Sequence, residues 1–365
     1  MPNSTETRRQ RPDGRLADKN GFSVQQQQAA ARLASENTAM IGATKPLLTI
    51  LRAAGISRFC VVLTALLLCY GCAGKYPAKA DLDGAVWMQT SDEYRALSLG
   101  AYSAARKSLD EALEDPSWTA LPSQAPANSA EAALLARLPV AVLLDLDETV
   151  LSTLPYQAWL IKNDKPFTPA SWNAWVSEAN AESLPGALQF VQYAKRKGAA
   201  VFYISNRAYR GALDSNADGR IALAEAQVDL KSFTIANLVR LGFLPQRHVS
   251  NDDSVMLRGE TDKDGNVRPG WASSDKTARR ESLASDYRIV LLIGDDMNDF
   301  VAYPKHRNDR YSPMNADRHG ARWGRSWIML PNPIYGSWER RLYGAGHTMS
   351  KEEKIKMKLD RLKAK

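Results

Sequence analysis

The chain has 365 residues, with 48 Lys plus Arg against 40 Asp plus Glu and 44% hydrophobic side chains. This composition excludes wholesale disorder, a collagen-like repeat and a multi-span membrane protein, and the length supports one large domain or two ordinary ones. The formal charge of +8 is unevenly placed: residues 1–71 carry +5 and 351–365 carry +4, leaving 72–350 at −1, so no charge-based case for a nucleic-acid polymer remains.

In chain order, the first feature is the apolar run FCVVLTALLLCY at 59–70, preceded by Arg52 and Arg58. It is too short to span a bilayer, which takes about 20 residues, and it suits the apolar core of a signal peptide. The 58 residues before it are unusual for an export signal. Met40, in frame, would start a complete leader ending near Cys72, and 1–39 is otherwise a polar extension. Cys60, Cys69 and Cys72 are the only cysteines, so cleavage before Cys72 leaves a mature chain with no internal disulfide. Gly71-Cys72 resembles the end of a bacterial lipobox and marks Cys72 as a lipidation site, hence a membrane partner through a lipid anchor. Cleavage after Ala73, giving a soluble periplasmic protein, is the alternative.

Residues 72–84 read as a tether. Apolar spacing over Ser91–Glu114 predicts a helix with Ser91 as N-cap. Pro116–Asn128, rich in Pro, Ser and Ala, reads as a linker that closes an N-terminal segment of 85–128. Over 129–345, buried-type apolar runs at 140–147, 199–205 and 287–295 alternate with helical stretches at 185–197, 228–241 and 276–286. This alternation predicts an α/β domain, a parallel sheet with helices on both faces and its ligand site beyond the carboxyl ends of the strands.

Each apolar run ends in polar residues. The first ends Asp145-Leu146-Asp147-Glu148-Thr149, where residues two apart on an extended chain face the same way. The second ends Ser205-Asn206-Arg207. The third ends Gly294-Asp295-Asp296-Met297-Asn298-Asp299, and Lys276 opens the preceding helix. Singly these are ordinary turns and caps. Together, at one sheet edge, paired carboxylates, a hydroxyl, a lysine and further acids suit phosphoryl transfer with Mg²⁺ and fixed positive charge.

DLDET at 145–149, SNR at 205–207, Lys276 with Arg279-Arg280, and GDDMNDF at 294–300 resemble the four motifs of the haloacid-dehalogenase (HAD) superfamily of phosphatases. AVWMQTSDEYRAL at 85–97, LSTLPYQAWLI at 151–161, WNAWV at 172–176 and PNPIYGSWE at 331–339 narrow the resemblance to class C acid phosphatases, the lipoprotein e group of outer-membrane nucleotidases. It covers roughly 85–345. The resemblance implies a HAD-like Rossmannoid fold with a small helical cap, acting on phosphomonoesters in the cell envelope. It implies Asp145 as nucleophile and Asp147 as general acid and base. Ser205 and Asn206 would bind phosphoryl oxygens, and Lys276 would neutralise charge. Mg²⁺ would be held by Asp145, the Asp147 carbonyl and Asp295, with Asp299 orienting metal-bound water or Lys276. Trp172 and Tyr335 match the aromatics that sandwich a substrate ring. Asp296 stands where the group commonly has Asn.

A second site lies outside that resemblance. Residues 214–225 read as an EF-hand-type loop with Asp214, Asn216, Asp218, the Arg220 carbonyl and Glu225 as Ca²⁺ ligands and Gly219 at the turn. Residues 260–271 begin similarly but end at Trp271, and read as a hairpin turn. The basic tail 346–365 reads as a solvated helix. The rival to an enzyme is a catalytically idle envelope lipoprotein carrying a calcium-binding loop.

Overall fold

The computed structural model describes residues 81–212, 227–246, 252–302, 314–343 and 349–364. The leader, Cys72 and the loop 214–225 lie outside these residues.

Helix α1 (Leu82–Thr90) stops where Ser91 becomes extended, and α2 (Asp92–Glu114) starts there. The Ser91 hydroxyl accepts the Tyr94 backbone N–H at 3.1 Å, and Asp92 and Glu93 occupy the first turn, which the helix dipole favours. The apolar stripe of α2 buries Tyr102, Ala105, Leu109 and Ala112. The stretch 116–128, read from composition as a linker, is packed along the sheet instead. Trp118 and Leu121 are buried, Trp118 Nε1 donates to Val290 O at 2.9 Å, and Ala120 N donates to Ile289 O at 2.7 Å. Helix α3 (Ser129–Leu135) then leads into the sheet.

The central strand β1 (Val140–Leu144) is followed by a two-residue strand β2 (Leu151–Ser152), which pairs antiparallel with β3 (Glu182–Ser183). Between them run α4 (Leu154–Lys162) and α5 (Pro169–Ser177), a small helical excursion in the place of the expected cap. Next come α6 (Ala187–Arg196), β4 (Ala200–Ala208), β5 (Arg210–Gly211) and its antiparallel partner β6 (Val228–Asp229), and α7 (Leu230–Arg240). They are followed by β7 (Val255–Arg258), α8 (Thr277–Glu281) and β8 (Arg288–Gly294). The described chain closes with α9 (Met314–Asp317), β9 (Trp327–Met329), α10 (Ser337–Tyr343) and α11 (Lys351–Leu359).

The main sheet is parallel throughout, in the order β7-β4-β1-β8-β9. Successive side chains of a strand face opposite ways. Val142, Leu144, Val201 and Tyr203 therefore join Tyr102, Phe190 and Ile235 in one core, while Ala141, Leu143, Phe202 and Ile204 join Leu121, Trp271 and Trp327 in the other. This is the α/β architecture expected from the alternating runs. Leu144 sits level with Tyr203 on one side and Ile293 on the other, so the three polar strand ends converge at one edge.

The 260–271 segment forms the expected hairpin turn, bridged at Thr261 and Val267 with Gly265 at a φ of 83°. The tail forms α11 with a Ser350/Glu353 capping box. Lys358 pairs with Asp81 at 2.8 Å and Glu339 at 2.9 Å, and Lys351 pairs with Asp164, so these basic side chains are tied to the domain. Among the described residues no helix is long and apolar enough to cross a membrane.

Candidate active site

The backbone of β1 delivers Asp145 just beyond the strand, its N–H donating to Ile293 O at 2.9 Å. The chain then turns sharply, with Val150 N and Leu151 N both donating to Leu146 O. Lys276, at the N-cap position of α8, is buried and donates to the carboxylates of Asp145 and Asp299, the latter at 2.6 Å. Burial pulls the ammonium down, but the charges of Asp145 and Asp299 more than offset this and hold it above the ordinary lysine value.

Carboxylate oxygens of Asp145, Asp295 and Asp299 lie within 4.8 Å of one another. Burial, then the neighbouring charges, raises all three; Asp145 is pushed up to about 7 even against the pull of Lys276. Asp295 also accepts from Asn332 Nδ2 at 2.8 Å and Thr149 Oγ1 at 3.3 Å. Asp299 accepts from Lys276 and from the Asp296 N–H, so its carboxylate, like that of Asp295, is held by a donor at each oxygen. An all-oxygen set of mutually repelling carboxylates, buried at Asp145 and Asp299 and half-buried at Asp295, fits a hard divalent cation.

The Asp147 carboxylate is not in that cluster. Arg207, 1% exposed at its side chain, holds it through Nε at 3.0 Å and Nη2 at 2.7 Å. Ser205 is fully buried, and its hydroxyl accepts the Arg207 N–H at 3.0 Å. Arg279 locks this strand end, donating to Ser205 O at 2.5 Å and Asn206 Oδ1 at 2.7 Å, and Arg280 donates to Asn298 O at 2.7 Å. The two consecutive arginines of α8 thus pin the second and fourth motifs on either side of Lys276.

These groups open into a cavity of about 430 Å³. Asp145, Asp147, Asn206, Lys276, Asp295 and Asp299 line one part of it, and Gln157, Phe167, Trp172 and Tyr335 line another. Gln157 comes from α4 and Trp172 from α5, Phe167 from the turn between them and Tyr335 from the segment before α10. Tyr156 packs against Trp159, Phe167, Trp172 and Trp175, and Trp172 stacks on Trp175 with centroids 5.1 Å apart. The Arg207 guanidinium lies 5.8 Å from both tryptophan rings, so it touches the aromatic wall and Asp147 together.

The structure therefore brings Asp145, Asp147, Asn206, Lys276, Asp295, Asp299, Trp172 and Tyr335 to one cavity, with Ser205 buried behind it. Asp214, Asn216, Asp218, Arg220 and Glu225 of the calcium loop, and Cys72, lie outside the described residues. Three further residues were given no role by the sequence. Arg207 and Glu148 stood inside the quoted motifs, and Asn332 in PNPIYGSWE. The available signal was a polar residue beside each assigned one at a strand end.

A family model described as HAD superfamily, subfamily IIIB (acid phosphatase), matches residues 76–215 and 223–338. The unmatched residues 216–222 fall inside the loop 214–225. Among curated proteins, Acid phosphatase 1 of Solanum lycopersicum is 24% identical over 194 residues, 53% of this chain and 57% of that protein. A stem 31 kDa glycoprotein of Glycine max is 25% identical over 194 residues, 53% and 58% of the two chains. The chain thus spans a little over half the length of these relatives. Among solved structures, the class C acid phosphatase from Bacillus anthracis is similar at 30% identity and a TM-score of 0.58, covering 79% of this chain and 98% of that one. The same enzyme with tungstate bound gives the same figures.

Proposed function

The chain belongs to the acid phosphatases of subfamily IIIB in the HAD superfamily, and we propose that it is an exported, Mg²⁺-dependent phosphomonoesterase acting on nucleoside monophosphates and similar aromatic phosphates. The observation that carries this reading is Lys276 bridging Asp145 and Asp299 beside Asp295, in the lining of a cavity with an aromatic wall.

Asp145 attacks phosphorus and the bond to the leaving oxygen breaks, giving an aspartyl-phosphate. Asp147 gives its proton to the leaving oxygen. It then takes a proton from water as that water attacks phosphorus, which releases phosphate and restores Asp145. Arg207 fixes the orientation of the Asp147 carboxylate throughout. Lys276 offsets the charge that gathers between nucleophile and phosphoryl oxygens, and Ser205 and Asn206 bind those oxygens. Asp145 and Asp295, with the Asp147 carbonyl, would hold Mg²⁺. When bound, the ion relieves the carboxylate repulsion and adds positive charge at the phosphoryl group. Trp172 and Tyr335 offer flat faces to a ring of the leaving group, which tolerates different bases.

Phosphate release from a nucleoside 5′-monophosphate, with and without EDTA, tests this. Wild type is expected to turn over only with metal, and Asp145→Asn to lose activity by several orders of magnitude. Metal-independent turnover, or none, contradicts the reading. The apolar run before Gly71-Cys72 supports export and an outer-membrane lipid anchor, tested by detergent phase partitioning of wild type against Cys72→Ala. The twelve-residue pattern at 214–225 supports Ca²⁺ binding, tested by calorimetry on Glu225→Gln. Unchanged partitioning or unchanged calcium uptake removes the corresponding proposal.

A further inference from the structure

Glu148 lies between Asp147 and Thr149 yet takes no part in the chemistry derived above. Its φ of 57° is a left-handed conformation that a side chain of this size seldom adopts. The carboxylate is fully buried and accepts from Thr153 N at 2.8 Å, Thr153 Oγ1 at 2.5 Å and the Tyr335 hydroxyl. Thr153 Oγ1 also lies 3.3 Å from that hydroxyl, which closes a three-membered network. The other end of Tyr335 is held as well: its backbone N–H donates to Asn332 Oδ1 at 3.4 Å, and Asn332 Nδ2 donates to Asp295 Oδ2 at 2.8 Å. The tyrosine is thus fastened at its hydroxyl to the turn after β1 and at its backbone to the end of β8. It is the cavity aromatic tied to both strand ends that supply the carboxylate cluster.

A ring fastened in this way cannot rotate or withdraw without breaking buried hydrogen bonds, so it stands at a fixed position relative to Asp145 and Asp295. We propose that Glu148 is a positioning residue that sets leaving-group specificity: it acts through the Tyr335 hydroxyl to hold that ring as a preformed wall for the aromatic part of the substrate. This rests on the reading of the cavity as a site for aromatic phosphates. A preformed wall spares the ligand the cost of ordering the side chain, and the gain goes only to substrates that bring a ring. A merely structural Glu148, capping the start of α4 through Thr153, would alter stability without sorting substrates.

The experiment compares kcat and KM for a nucleoside 5′-monophosphate and for glycerol phosphate in wild type, Glu148→Gln, Tyr335→Phe and the double variant. The expected result is that each single variant lowers the nucleotide-to-glycerol ratio of kcat/KM on the order of tenfold, mainly through KM for the nucleotide. The double variant should lose no more than either single, because both cut the same link. Tyr335→Phe keeps the ring and the buried carboxylate, so the test stands if Glu148→Gln fails to fold. A wild type with no preference for the nucleotide overturns both the aromatic-site reading and this proposal. A wild-type preference that the variants retain, or losses that add in the double variant, overturns the proposal alone.

Discussion

At the scale of single residues, the site works by pairing each acid with a fixed donor. Asp145 has Lys276, Asp147 has Arg207, Asp295 has Asn332, and Asp299 has both Lys276 and a backbone N–H. The Arg207 fork engages Asp147 through two nitrogens, a geometry a lysine cannot reproduce. Arg207→Lys is therefore expected to lower kcat by about one to two orders of magnitude while the protein still binds substrate analogues, since it keeps a cation beside Asp147 but leaves that side chain free to turn. Equal kcat in variant and wild type would show that the orientation of Asp147 does not depend on this fork. The assigned carboxylates were legible because strand ends expose polar residues where the fold needs a site. Arg207 was not, because an arginine after a strand looks the same whether it points to solvent or folds back onto an aspartate.

At the scale of elements, short connections do most of the positioning. Gly294 ends β8 where the chain must pass under Asp299, and a Cβ there would overlap the Asp299 carboxylate. Gly294→Ala should push Asp299 away from Lys276 and weaken both metal binding and turnover at least tenfold, with a lower melting temperature. Wild-type metal affinity in that variant would show that the Asp299 position is not limiting. Three of the five strands of the sheet were readable as long apolar runs. β7 and β9, with four and three residues, are too short for periodicity to separate them from loops. The stretch 116–128 misled because its Pro and Ser content hid two anchors, Trp118 and Leu121, whose burial only the tertiary fold reveals.

At the scale of the whole molecule, the neutral middle of the chain conceals a strongly charged interior. Asp145 and Glu148 are both held at about 7, burial being the first cause in each. A carboxyl raised in this way binds its proton more tightly in the folded state. The stability it brings is full below the ordinary carboxylate pKa and is lost as pH rises from about 4 to about 7. Metal-free protein should therefore melt several degrees lower near pH 7.5 than near pH 5, and Mg²⁺ should restore part of the loss at the higher pH by taking the place of the proton. A melting temperature that rises over this range without metal would contradict the assignment of buried, repelling carboxylates. The +4 of the tail is likewise not simply solvated charge, since Lys351 and Lys358 tie α11 to Asp164, Asp81 and Glu339.

The most direct test of the central claim is to quench the enzyme in acid during turnover of a nucleoside monophosphate and map phosphorylated peptides by mass spectrometry. The expected result is one phosphoryl group on the peptide that contains Asp145, absent in Asp145→Asn. Phosphate release by wild type with Asp145 unmodified at every quench time, or undiminished release by Asp145→Asn, would contradict it.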